Sequence, residues 1–167
     1  MHFEKSLLIP PIGSAGIGLG IFFILIDFVA SLMHDLGPLP HPPFPLSLLA
    51  SATAAIGEEI IARLFFVSFF VWLILRFCRK SNINLVFWAV AILSAAVFTA
   101  MHIPFIFAVY GFSSIAMVPA SLLIGLLLMN GSLSLFAAHG LKKYGFWAAA
   151  GIHFWADIIW HVLYGAL

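Results

Sequence analysis

Charge is what this chain has least of. Seven Lys+Arg and six Asp+Glu make up 8% of its 167 residues, against roughly 25% in soluble domains. With 64% of the residues hydrophobic, too little polar surface remains to wrap a water-soluble globule. Disorder is excluded on the same ground, because it needs few apolar residues and much charge. A net charge of +1 provides no basic face to hold nucleic acid. The lone cysteine, Cys78, rules out a disulfide framework, a Cys-rich zinc site and an iron–sulfur cluster. What the chain does have is long apolar runs carrying 18 Phe and 5 Trp. The fold class that follows is an all-α, polytopic transmembrane helical bundle in a lipid bilayer.

A helix crossing the hydrocarbon needs about 20 mostly apolar residues. Five such spans are read: Gly16 to Leu36, Leu46 to Phe77, Leu85 to His102, Ala116 to Leu141 and Phe146 to Tyr164. A sixth arises if Asn130-Gly131-Ser132 divides the fourth. The segment Gly37-Pro38-Leu39-Pro40-His41-Pro42-Pro43 is a turn, since four prolines forbid a helix. Pro104 is expected to end the third span. No small-residue cleavage site follows the first span, so it is expected to be retained. Gly16, Gly18 and Gly20 form a small-residue stripe suited to close helix contact. Residues 1–45, the first span and Pro-rich loop, are read apart from a core of residues 46–167.

Six of the seven cations agree with one topology. Lys5, Arg76, Arg79, Lys80, Lys142 and Lys143 fall on the same side if the spans alternate from a cytoplasmic N-terminus. The exception is Arg63, inside the second span. An ionisable side chain at bilayer depth costs at least ~2.5–3.5 kcal/mol, yet Glu58, Glu59, Arg63, His102, His139, His153 and Asp157 all fall within spans. A shared polar cluster is the least costly explanation. Glu59 and Arg63 stand at i,i+4 and can pair; Glu58 points about 100° away from Glu59. Phe98 and His102 are i,i+4 on the third span, and His153 and Asp157 on the fifth, with His161 continuing that stripe. At ~1.5 Å per residue from the cationic loops, Glu58 and His102 each lie ~27 Å up, His153 ~15 Å and Asp157 ~21 Å. Three helices thus present polar groups within one band, toward the end lacking Lys and Arg.

The segments Glu58-Glu59-Ile60-Ile61-Ala62-Arg63, Phe98-Thr99-Ala100-Met101-His102 and His153-Phe154-Trp155-Ala156-Asp157 resemble the motifs of the CPBP family. That family comprises CAAX proteases of the Ras-converting-enzyme type and bacteriocin-processing or abortive-infection membrane proteins, with myxosortase-type sorting members among them. Its pattern is Glu-Glu-x-x-x-Arg, Phe-x-x-x-His and His-x-x-x-Asn/Asp, each on its own span. The resemblance covers about Leu46 to Leu163. It implies a glutamate-dependent intramembrane endopeptidase acting on a membrane-anchored protein or peptide, in a prokaryotic cell membrane. Carried over by position, Glu58 is the general base, assisted by His102; His153 and Asp157 hold the oxyanion. Glu59 and Arg63, with Phe98, support the second helix. Asp157 departs from the amide of some members, and an ionised Asp cannot donate to an oxyanion.

No cofactor is favoured. Zinc is the alternative, with Glu58, His102 and His153 as ligands, although the His-Glu-x-x-His signature is absent. The alternative function is a non-catalytic membrane scaffold or bacteriocin-immunity protein on the same fold. The remaining residues receive plain readings. His2, His34 and His41 are interfacial, and His139 snorkels beside Lys142. His161 is interfacial rather than catalytic, and Asp27 has no local partner and no role. Gly111-Phe112-Ser113-Ser114 falls in a loop, without the helix-start context a serine nucleophile needs.

Overall fold

The computed structural model describes residues 9–167, with side chains from residue 12. His2 and Lys5, and with Lys5 one cation of the topology reading, lie outside the described residues. Every regular element among the described residues is helical. The helices are α1 (Ile9–Ser31), α2 (Leu46–Glu59), α3 (Ser68–Phe77), α4 (Ile83–Met101), α5 (Ile103–Tyr110), α6 (Ala120–Tyr144) and α7 (Phe146–Asp157). Two wider, π-helical stretches, Ile60–Val67 and Ile158–Leu163, continue α2 into α3 and extend α7.

Four helical runs are long and apolar enough to cross a membrane: Ile12–Ser31, Leu46–Phe77, Ile83–Tyr110 and Ala120–Tyr144. The fifth, α7 with its extension, carries His153, Asp157 and His161, which dilute its hydropathy. It tolerates them because α1, α2 and α6 pack around it. The outward surfaces are as apolar as the core: Ile21, Leu25, Leu49, Ile61, Phe65, Trp72 and Ile92 are all exposed. Soluble monomers rarely show contiguous apolar surface of this kind. This is a membrane protein.

The second span runs from Leu46 to Phe77 as expected. The first ends at Ser31 rather than Leu36, because Ser31 Oγ donates to the Phe28 carbonyl and the Leu36 N–H turns onto His34 Nδ1. The third starts at Ile83, where the Asn82 side chain accepts from the N–H groups of Asn84 and Leu85, the usual office of an N-cap Asn. Pro104 ends α4 at Met101 but not the span. It sits in the first turn of α5, where its missing N–H costs nothing. The fourth span begins at Ala120, after Pro119, and is unbroken through Asn130-Gly131-Ser132. The Asn130 side chain donates to the Leu126 carbonyl instead of interrupting the ladder.

The first span is built into the core rather than appended to it. Leu19 and Phe23 of α1 share one buried cluster with Phe98, Met129, Ile152, Ala156 and Trp160. Gly16 and Gly20, four residues apart on one face, let α1 approach α7. A Cβ on Gly16 would lie 2.6 Å from the Ile152 carbonyl oxygen, and one on Gly20 would lie 2.7 Å from that of Ala156. Gly18 lies off this face, with nothing within 4 Å of its would-be Cβ among the described residues; it does not belong to the packing stripe. Gly20→Ala is therefore expected to destabilise the bundle by about 1–3 kcal/mol through overpacking. Gly18→Ala should be neutral or stabilising by up to about 1 kcal/mol through helix propensity. Thermal unfolding of the two variants in detergent checks the contrast.

Candidate functional site

The cluster is assembled where α2 and α7 both give way to π-helix. Glu58 and Glu59 are the last two residues of α2, and Asp157 is the last of α7. π-Helical insertions recur at functional sites because they widen the backbone and free carbonyls from the regular ladder. Here Ser94 Oγ of α4 donates to the Ala62 carbonyl at 3.1 Å, tying α4 to the widened helix two turns below His102.

Glu59 is the hub. Its side chain is fully buried, as is that of Arg63, and Arg63 Nε lies 3.1 Å from Glu59 Oε2. The other carboxylate oxygen accepts a 2.9 Å hydrogen bond from His153 Nδ1. The imidazole of His153 is thereby oriented so that Nε2 faces Glu58 Oε2 at 3.8 Å and Asp157 Oδ2 at 3.5 Å. With carboxylate oxygens opposite both ring nitrogens, the arrangement suits an imidazolium that donates from each. Phe98 fills the space between the helices. The Arg63 guanidinium stands 4.6 Å above its ring, and the rings of His102 and His153 meet it edge-on at 4.9 and 6.2 Å.

His102 is held by its own helix. Its Nδ1 lies 2.8 Å from the Phe98 carbonyl oxygen; a carbonyl only accepts, so Nδ1 carries the proton and Nε2 is the free nitrogen. Glu58 differs from Glu59 in accessibility, its side chain being 38% exposed. It lines two cavities together with His102. One, of about 130 Å³, also holds His153, Asp157, His161 and Asn130. The other, of about 300 Å³, lies among Ile61, Ala62, Met101 and Phe105, three of which, Ile61, Met101 and Phe105, are more than half exposed on the outer apolar surface.

Glu58, Glu59, Arg63, Phe98, His102, His153 and Asp157 are therefore brought together. His139 is not: it is exposed and stacks on Trp88, beside Lys142, whose Nζ reaches Asn84 Oδ1 at 2.8 Å. This contact also joins the basic end of α6 to the start of α4, just after Arg79 and Lys80. Three residues read plainly have contacts the sequence did not show. Asp27, without a partner on its own helix, faces inward and its Oδ1 accepts from the Leu39 N–H twelve positions away at 3.0 Å. His161 lines the cavity of about 130 Å³ with Glu58 and His102. His41 is half-buried, its Nδ1 3.1 Å from His161 Nδ1 and its ring packed against Trp160 and Tyr164. No protein-family model, curated protein or solved structure matches this chain. Chemistry must be argued from the cluster alone.

His153, one of the three residues that would hold zinc in the alternative reading, faces carboxylates with both ring nitrogens. Nδ1 of His153 is engaged by Glu59 and its Nε2 is shared between two carboxylates.

The loop contact carries its own pH dependence. Burial, with the His161 imidazole adding to it, pushes His41 down from 6.5 to about 4. The neutral ring is thus the folded form, and the unfolded chain binds the proton more readily between those values. By linkage, stability is fully present above about pH 6.5 and declines as pH falls toward about 4. Unfolding temperatures measured in detergent at pH 7.5 and 4.5 should show this drop in the native protein and a smaller one in His41→Gln.

Proposed function

We propose that this chain is a glutamate-dependent intramembrane endopeptidase that hydrolyses a peptide bond in a membrane-anchored protein. The observation that carries the reading is the contrast between two adjacent glutamates. Glu59 is sealed and committed to Arg63 and His153, whereas Glu58 is open to two cavities beside the free nitrogen of His102. A carboxyl group placed only to fix helix register has no need of a cavity, and buried pairs are in any case weak support for stability. The three motifs that resemble the CPBP family supply every residue involved.

In this reading Glu58 removes a proton from water as the water attacks the scissile carbonyl carbon. The oxyanion accepts from His153 Nε2–H and from a protonated Asp157, donors that act strongly in a site shielded from bulk water. Glu58 then passes its proton to the leaving nitrogen, the C–N bond breaks, and carboxyl and amine products separate. Two cations, Arg63 and His153, face three carboxyls. A cluster in low dielectric favours neutrality, which calls for one proton shared among the three carboxyls.

Arg79, Lys80, Lys142 and Lys143 mark the cytoplasmic end under the positive-inside rule. Leu39 and Pro40 at the opposite end line the cavity, which supports a cleaved bond toward the non-cytoplasmic leaflet of a prokaryotic cell membrane. That depth suits removal of a C-terminal sorting helix better than a cytosolic prenylated tail. The test compares protein termini in membranes from cells expressing the native chain or Glu58→Gln at equal level. Termini generated only by the native chain support the reading. Identical termini from both favour the scaffold or immunity alternative.

A further inference from the structure

The Pro-rich loop is fastened to the cavity at two points. From α1, the buried Asp27 accepts the Leu39 N–H. From the extension of α7, His161 meets His41, whose Cβ sits so near Gly165 that a Cβ there would lie 2.7 Å from it. Between these fasteners, Leu39 and Pro40 form part of the wall of the cavity that holds Glu58, His102 and Asp157. The rest of that wall joins apolar Phe23, Leu126, Met129 and Trp160 to a polar side made by His153, His161 and Asn130. Its volume of about 130 Å³ leaves room for one mid-sized side chain.

From this we infer that Leu39 and Pro40 are specificity-determining residues contacting the substrate side chain beside the scissile bond, and that Asp27 positions them. The inference rests on the peptidase reading of the same site. The side chain selected is apolar and of the size of Val, Ile or Leu. Leu39 in the wall limits the size that fits while the loop is held, and Phe23, Leu126 and Met129 supply the apolar part of the surface it meets. Asp27 thereby acquires a task that accounts for a buried carboxylate in an apolar helix.

The probe is a pool of transmembrane peptides of about 20 apolar residues with a randomised segment at one end, reconstituted in vesicles with the full chain and read by mass spectrometry of the products. Leu39→Ala is expected to raise cleavage next to Phe relative to Val about tenfold, the scale on which pockets discriminate such differences. Asp27→Ala should relax the preference in the same direction, and Asp27→Asn, which keeps the acceptor oxygen, should restore it. Hydrogen exchange gives a readout independent of activity. In residues 38–43 only Leu39 and His41 carry a backbone N–H, the others being proline, so the peptide reports the anchor directly. Its exchange should speed at least tenfold in Asp27→Ala and remain native in Asp27→Asn. Cleavage with an unchanged preference in Leu39→Ala, or native exchange in Asp27→Ala, overturns the inference while leaving the peptidase reading intact. If neither the native chain nor Glu58→Gln cleaves any peptide, the peptidase reading fails and takes the wall's selective role with it.

Discussion

Glu58→Gln is expected to lower hydrolysis by about 10²–10⁴-fold, the range general acid–base groups contribute, with the fold unchanged. Gln keeps the shape of the side chain and one acceptor oxygen but cannot take a proton from water or return it to the leaving nitrogen. The loss should fall on kcat, since Glu58 acts on the water and not on the bound side chain. Glu58→Asp is the sharper control. It retains the carboxylate but withdraws it by one methylene, and a misplacement near 1 Å costs about 10²-fold where reacting atoms must be aligned. An ordering of native, then Asp, then Gln, at equal unfolding temperatures, identifies proton transfer at this position. Equal activity in all three would falsify the assignment of the base. Because the Glu58 side chain is 38% exposed and its ion-pair partner, His153 Nε2, is 3.8 Å away, little folding energy is at stake in either substitution.

The parts of this fold legible in the sequence are those governed by local rules. The Leu46–Phe77 span could be read from its unbroken apolar length. The i,i+4 spacing places Glu59 with Arg63 and His153 with Asp157 on shared faces, and the ion pairs join those residues. The cost of polar groups in lipid was signal enough that α2, α4 and α7 should meet. Contacts set by tertiary closure were not legible. His41 and His161 are separated by 120 positions, and nothing local in either sequence environment marks the other. Asp27 was visible as an anomaly in an apolar span, but its partner is a backbone N–H in a proline loop, which no side-chain pattern reveals. The π-helical stretches follow from packing rather than propensity. Residues that depend on them, such as Ser94 on the freed Ala62 carbonyl, were accordingly missed. Asn130 was read only as a point where the fourth span could divide, although a lone amide at that depth is the same kind of anomaly as Asp27.

Removing Glu59 or Arg63 singly is expected to cost about 3–5 kcal/mol each, the penalty of leaving one member of a buried pair uncompensated. The two cases expose different groups. In Glu59→Leu the Arg63 guanidinium loses its counter-ion while Nη1 and Nη2 already lack hydrogen-bond partners among the described residues, leaving only the Phe98 face at 4.6 Å. His153 loses the acceptor that orients Nδ1, so Nε2 no longer points reliably between Glu58 and Asp157. In Arg63→Met, Glu59 keeps His153 but faces an apolar neighbour. The double variant Glu59→Leu/Arg63→Met removes both charges and should be less destabilised than the sum of the singles, a coupling of the size found for residues in one network. Unfolding in mixed micelles measures the three energies. Activity separates the two duties of Glu59, because the double variant can recover stability yet cannot recover the 2.9 Å bond to His153. Recovered stability with hydrolysis still lost shows that Glu59 positions the imidazole as well as pairing with Arg63. Recovered hydrolysis would confine Glu59 to helix register.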